Sequence, residues 1–267
     1  MKNDKQNVAR LSQELKERMK VRPMIRSNNT IELGGRSKCD PDCEICQGEG
    51  VSSIQVEETD FLGRPVLVDR WGTCPNLARR VKISGSGLLP NEISDLGWEK
   101  ILDDGNAFLV LEEIRKVIEA GFGWVFLWGD PGNAKTVLLK TAVAEYIKSG
   151  KPAIYSTMAQ VIENLRMAFD TDRPSAESYR RLEVWKNAKL LVLDEVDRVN
   201  ATAYVKERQF LLLDGRYQAA LNQETITIMT SNQDPKTFDP YFASRIHDGR
   251  FKVLKMEAGD LRPGMLF

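Results

Sequence analysis

WVFLWGDPGNAKTVLLK (residues 124–140) joins an unbroken apolar run, a glycine-bearing loop and the start of a helical pattern. WVFLW is short and apolar enough for a strand buried on both faces of a parallel sheet. TVLLKTAVAEYIKSG (136–150) repeats its apolar residues at helical spacing and stops at Gly150. Between them, GDPGNAKT (129–136) is one residue away from the phosphate-loop pattern G-x-x-x-x-G-K-[ST], with Ala134 where the second glycine is expected. Strand, loop and helix in that order let loop N–H groups and the unpaired N–H groups of a first helical turn converge on an anion. The candidate nucleotide contacts are Gly129, Asp130, Pro131, Gly132, Asn133, Ala134, Lys135, Thr136 and Val137. Lys135 would reach the outer phosphates of ATP as a point charge, and Thr136 would offer its hydroxyl to Mg²⁺. Ala134 is expected to be helical already, where alanine costs nothing in backbone conformation.

Three downstream stretches bear on the loop. AKLLVLDEVDR (188–198) is an apolar strand ending in Asp194 and Glu195, about sixty residues on. A hydrolytic site needs one carboxylate near the metal, for which Asp194 is the candidate, and another to orient water, for which Glu195 is the candidate. Read alone, the stretch fits equally a strand that ends in a solvated acidic turn. TITIMTSNQDP (225–235) delivers Thr230, Ser231 and Asn232 to the carboxyl end of another strand, where parallel sheets keep their ligand crevice. Asn232 could hold the attacking water or be an ordinary turn residue before Asp-Pro. In YFASRIHDGR (241–250), Ser244 could cap a short helix carrying Arg245, which could serve a neighbouring subunit's γ-phosphate or form a surface ion pair. His247 is the only histidine and takes no role.

The rest of the chain bounds the answer. Its 267 residues carry no net charge, but residues 1–38 hold ten basic groups against four acidic ones. Such an arm can meet phosphates or an acidic protein face, or simply solvate a helix. Val8, Leu11, Leu15 and Met19 predict an amphipathic helix there. No stretch approaches the ~20 apolar residues needed to span a bilayer, and no apolar segment follows the start to form a secretory signal. No membrane role and a cytoplasmic location are expected. RPVLVDRWGTC (64–74) reads as a strand, and ISGSGLLPNE (83–92) as a linker. The expected division is residues 1–90, a helix and metal module with linker, and 91–267, an α/β nucleotide-binding domain. Helices are expected at 106–121 and 136–150, and strands at 124–128, 152–157, 188–194 and 225–232.

All four cysteines fall between 39 and 74. Cys39, Cys43, Cys46 and Cys74 supply the four thiolates of a closed tetrahedral Zn²⁺ site. Four unrelated thiols and an iron–sulfur cluster are the alternatives. For so small a module, zinc could contribute about 10–16 kcal/mol of folding free energy.

The order strand–loop–Lys-Thr, strand–Asp-Glu, strand–Thr-Ser-Asn and Ser-Arg resembles the AAA+ ATPases of the DnaC/IstB group, helicase loaders and transposition helper ATPases, over residues 94–262. LLLDGRYQAALNQETITIMTSN (211–232) is the most specific part, because in that group an Arg-Tyr pair, here Arg216 and Tyr217, precedes the strand ending in Thr-Ser-Asn. The resemblance implies a parallel sheet flanked by helices, with a small N-terminal zinc-binding domain and no C-terminal lid. It implies Asp194 and Glu195 as the Walker B pair, Asn232 as sensor 1 and Arg245 as an arginine finger acting in trans. It implies that MAQVIENLRMAFD (158–170) opens a helical insertion facing single-stranded DNA. Arg166, Arg173, Arg180 and Arg181 fit that insertion, and fit a solvated helix face as well. It implies ATP, Mg²⁺ and Zn²⁺ as cofactors and a homo-oligomer in the ATP state. The partner it implies is a replicative helicase on single-stranded DNA, or a transposase recruited by filaments on duplex DNA, as in IstB/TnsC-like regulators. MoxR-type relatives also carry alanine before the loop lysine.

Overall fold

A computed structural model describes residues 39–59, 63–101 and 104–259. The basic segment 1–38, with its expected amphipathic helix, and the tail 260–267, where the expected lack of a lid would be judged, lie outside the described residues.

The N-terminal elements are an antiparallel hairpin and a helix. β1 (Val51–Thr59) pairs with β2 (Pro65–Thr73), register Val51 to Thr73, and α1 (Pro75–Ser84) follows. β1 escapes notice in the sequence because VSSIQVEET has little apolar content; both strands stand largely in solvent, so no strong alternation is demanded.

The stretch read as a linker is tied down at its centre. Ser86 is buried, and its carbonyl accepts the Tyr155 N–H at 2.7 Å. Gly87 lies so close to the Tyr155 carbonyl that a Cβ would sit 2.1 Å from its oxygen, at φ +77°. Leu88, and Ile93 on α2 (Pro90–Asp95), then enter the main core. Gly and Ser signal slack chain in composition; here they permit close approach of two backbones.

The larger body is a five-stranded sheet between helices. α3 (Ala107–Ala120) ends at Gly121, whose φ of 80° closes it in the left-handed conformation. β3 (Gly123–Trp128) leads through the loop into α4 (Lys135–Lys148), then β4 (Ala153–Thr157). α5 (Met158–Arg166), a 3₁₀ turn and α6 (Pro174–Asn187) lead to β5 (Leu190–Asp194). α7 (Ala203–Leu221), β6 (Ile226–Ser231), α8 (Pro240–Ile246) and β7 (Lys252–Lys255) complete it. The strands lie in the order β4-β5-β6-β3-β7, all neighbours parallel.

Alternate residues of each strand feed opposite faces. Val125, Leu127, Val192 and Ile228 meet α3 and α4 through Val110, Ile114, Leu138 and Val143. Trp124, Phe126, Leu193 and Met229 meet α5, α6 and α7 through Met158, Leu165, Leu182 and Leu212. Each such buried side chain contributes about 1.5–3 kcal/mol. β6 lies between β3 and β5, so three motif-bearing strands end side by side at the carboxyl edge. That edge is where an open parallel sheet binds its ligand.

Candidate functional site

The loop after β3 is wound around its own lysine. Lys135 is buried, and its ammonium donates to the Gly129 carbonyl at 2.7 Å, the Asp130 carbonyl at 2.8 Å and Asn133 Oδ1 at 2.8 Å. The buried Asn133 also donates through Nδ2 to the Met256 carbonyl at 3.4 Å, tying the loop to the segment after β7. Gly129 has no room for a side chain, since a Cβ would lie 2.7 Å from the Met256 carbonyl oxygen. Asp130, Pro131 and Thr136 are exposed, while Gly132 and Val137 are half-buried.

Ala134 corrects the sequence reading. It is not helical; its φ of 62° and ψ of 11° put it in the left-handed region. That conformation costs a non-glycine residue about 1–2 kcal/mol, so the missing glycine does carry a conformational cost.

Asp194 is the centre of the site. It is 3% exposed at the end of β5. Its Oδ2 accepts the Thr136 hydroxyl at 2.8 Å and the Tyr155 hydroxyl at 2.8 Å. Its Oδ1 accepts the Thr230 hydroxyl and, at 3.1 Å, the Glu195 N–H. Burial, reinforced by the charge of Asp194, pushes the Tyr155 phenol far above its usual range, so it stays a donor at neutral pH. Glu195 follows with a φ of 50°, its N–H shared with Thr230 Oγ1 at 3.0 Å. Its carboxylate is partly exposed and lies 3.3 Å from Arg198. Asn232 comes directly after β6, and its N–H donates to Asp197 Oδ1 at 3.2 Å.

The loop hydroxyl and the strand carboxylate thus meet. Both offer hard oxygen ligands, the donor type that Mg²⁺ takes. Tyr155 and Thr230 were not foreseen as partners of Asp194. The available signal was Tyr155 itself: a tyrosine in a strand buried on both faces needs a partner for its hydroxyl.

Arg245 sits elsewhere, on α8. Asp239, not Ser244, caps that helix, accepting the Tyr241 N–H at 3.0 Å; Ser244 is inside it. Arg245 donates to Asp214 of α7 at 2.7 and 3.1 Å and to the Tyr241 hydroxyl. Its guanidinium also stacks on the Tyr241 ring, 3.4 Å from the centroid. Arg216, by contrast, is entirely buried. On α5 and α6, Arg180 and Arg181 pair with Glu177 at 2.9 and 2.7 Å, and Arg166 lies 3.7 Å from Glu163.

The cysteines form a second centre. Cys39, Cys43, Cys46 and Cys74 are buried, unbridged, and hold their sulfurs within 4.8 Å of one another. The turn after Cys46 runs through Gln47 (φ 49°) and Gly48 (φ 86°), where a Cβ would lie 3.2 Å from the Pro41 Cα. Cys74 stands at the N-terminus of α1, and its N–H binds the Gly50 carbonyl at 2.9 Å. The Cys46 N–H, the Asn76 amide and the Ile45 N–H lower the Cys43 thiol pKa, favouring thiolate. A tetrahedron with Zn–S bonds of about 2.3 Å has S···S edges of ~3.8 Å. Cys43 and Cys74 sulfurs are 3.7 Å apart. The spacing fits one ion; a cluster of several irons would hold its ligands wider. The four cysteines fit a small zinc-binding module.

No family model matches the chain, and no curated protein does. Among solved structures it is similar to the replication initiator DnaA bound to AMPPCP and single-stranded DNA, with TM-score 0.53, 21% identity, and coverage of 64% of this chain and 51% of that one. It is similar to DnaI, with TM-score 0.53, 16% identity, and coverage of 68% and 99%. It is similar to the DnaC helicase loader, with TM-score 0.51, 19% identity, and coverage of 63% and 100%. The chain spans about half the length of the initiator. Its strand order and the loop between β3 and α4 give this protein the fold shared by these helicase-loader and initiator structures.

Proposed function

We propose that the protein is an ATP-hydrolysing loader of a replicative helicase. The observation that carries the nucleotide reading is the 2.8 Å hydrogen bond from Thr136 of the loop to Asp194 of β5. In this reading the N–H groups of residues 129–137 wrap the ATP phosphates, with Lys135 turned from the loop carbonyls to the outer phosphates. Thr136 and Asp194 would hold Mg²⁺, which would supply charge neutralisation at the phosphates. Glu195 orients and deprotonates water, and Asn232 fixes its line of approach. Arg245 acts on the γ-phosphate of a neighbouring copy, which requires it to leave Asp214. The partners are single-stranded DNA, along α5 and α6, and a helicase, gripped by the zinc module and the basic N-terminal segment. The setting is cytoplasmic, and the active form a homo-oligomer. The similarity to the DnaC helicase loader and to the initiator bound to single-stranded DNA supports this choice.

Two variants test the site. Lys135→Ala should weaken ATP binding at least about tenfold, measured by calorimetry. Glu195→Gln should keep ATP binding and lose turnover by about a hundredfold or more. Unchanged ATP binding by Lys135→Ala would show that the loop is not the nucleotide site. Capture of the replicative helicase supports the loader role, whereas ATP-dependent filaments on duplex DNA without helicase capture would replace it with a transposition regulator.

A further inference from the structure

We infer that Tyr155 is a positioning residue for the carboxylate of Asp194, holding it for the metal ion; this rests on the nucleotide-site reading proposed above. Three side chains donate to Asp194 from three directions: Thr136 from the loop, Thr230 from β6 and Tyr155 from β4. Thr136 and Tyr155 share one oxygen, Oδ2, at 2.8 Å each. Thr136 has a second duty, because its oxygen is the loop's ligand for the cation. Tyr155 has none, so it is the donor that keeps Oδ2 in place while Thr136 exchanges partners.

Tyr155 is built to stay where it is. Its N–H is fixed on the Ser86 carbonyl at 2.7 Å, and its own carbonyl is pressed by Gly87, where even a methyl group would collide. β4 pairs with β5 in a register that sets Tyr155 beside Val192 and Thr157 beside Asp194. Its ring lies beneath Lys140 of α4, 5.4 Å from the ammonium, and Lys140 is itself paired with Glu92 of α2 at 2.7 Å. Partners that hydrogen-bond a metal-holding group from outside orient it, and their loss costs about 10–100-fold in metal affinity or activity. A tyrosine buried only to fill space would tolerate loss of its hydroxyl without any effect on metal.

Tyr155→Phe removes the donor and keeps the ring. Mn²⁺ is titrated into the full-length chain with a non-hydrolysable ATP analogue, and free Mn²⁺ is read by electron paramagnetic resonance. The expected result is Mn²⁺ affinity weakened about tenfold, with analogue binding in EDTA unchanged. The Mg²⁺ concentration for half-maximal turnover should rise by the same factor, with kcat at saturating metal nearly preserved. Mn²⁺ affinity equal to that of the unsubstituted protein would overturn the inference. Loss of analogue binding in EDTA would overturn it too, since the hydroxyl would then support the fold. Lys135→Ala, run in parallel, separates the two levels. If that variant binds the analogue normally, the nucleotide site is misplaced; if it loses binding while Tyr155→Phe keeps Mn²⁺, only the role of Tyr155 fails.

Discussion

At the scale of single residues, the site is marked by backbone that its side chains would not choose. Ala134 and Glu195 both have positive φ, 62° and 50°; Ala134 lies two residues before Thr136 and Glu195 directly after Asp194, the two residues that meet across the crevice. Such conformations persist only where the surroundings impose them, and they gather at functional sites. The sequence reveals which residue types occupy the loop but not their dihedral angles, so alanine looked harmless at a position that asks for glycine. Ala134→Gly should therefore stabilise the nucleotide-free protein. Relief of about 1–2 kcal/mol is partly offset by the extra freedom of an unfolded glycine, about 0.4–1 kcal/mol. The expected net gain is about 0.5–1 kcal/mol, read as a higher melting temperature with only a modest change in ATP affinity. A lower melting temperature would mean that the methyl group makes a contact worth more than the strain.

At the scale of elements, Arg216 shows how far a motif can be recognised without its role being understood. The Arg-Tyr pair carries the family resemblance, and an arginine just before the strand that leads to Asn232 invites a catalytic role. Instead Arg216 joins α6, α7 and β6. It donates to Thr227 Oγ1 at 2.9 Å, to the Lys186 carbonyl at 3.0 Å and to the carbonyls of Ala188 and Ile226. Lys186 and Ala188 flank the C-terminus of α6, where orphan carbonyls and the negative end of the helix dipole favour a cation. Burial lowers the Arg216 pKa to about 9, so it stays charged at neutral pH. Arg216→Met should strand several of these acceptors and cost about 3–4 kcal/mol, seen as a lower urea midpoint at unchanged slope. Arg216→Lys should recover little of it, because an ammonium cannot span the same fork of acceptors. An unchanged midpoint in both would show that water replaces the guanidinium without penalty. The helices at 106–121 and 136–150 and the strands β3 to β6 were legible because their periodicity or continuous apolarity is imposed by burial. β7 was not: KVLK is four residues on the sheet's outer edge, with too few positions to show a pattern. α1 was hidden because only Leu77 of its residues is buried.

At the scale of the whole molecule, the two centres differ in what holds them together. The sheet has apolar layers on both faces, whereas the cysteine module has a core of four thiols and Leu77, with Val81 packed against it. Its hairpin adds little, since Leu67 and Trp71 are 69% and 61% exposed, and an isolated two-stranded hairpin is marginal in water. Residue spacing made the four cysteines legible as ligands; their convergence, with Cys74 brought to the base of the hairpin by the Gly50 carbonyl, depends on a β1 that the sequence did not display. Zinc should therefore be structural here, and its removal should act on one part of the chain only. Protein purified without chelators should contain about one zinc per chain, the number a closed four-thiolate site takes. After chelation, hydrogen exchange should show lost protection from Cys39 through α1 and unchanged protection in β3 to β6. The limit of the loss should fall at Ser86, because its bond to Tyr155 and the burial of Leu88 belong to the sheet and need no metal. Acid should reproduce the effect as thiolates protonate and release the ion. Metal-free protein with full protection over 39–84 would refute a structural zinc. Loss that spread into β4 and Asp194 would show instead that the connector carries the state of the zinc module into the proposed nucleotide site through Tyr155.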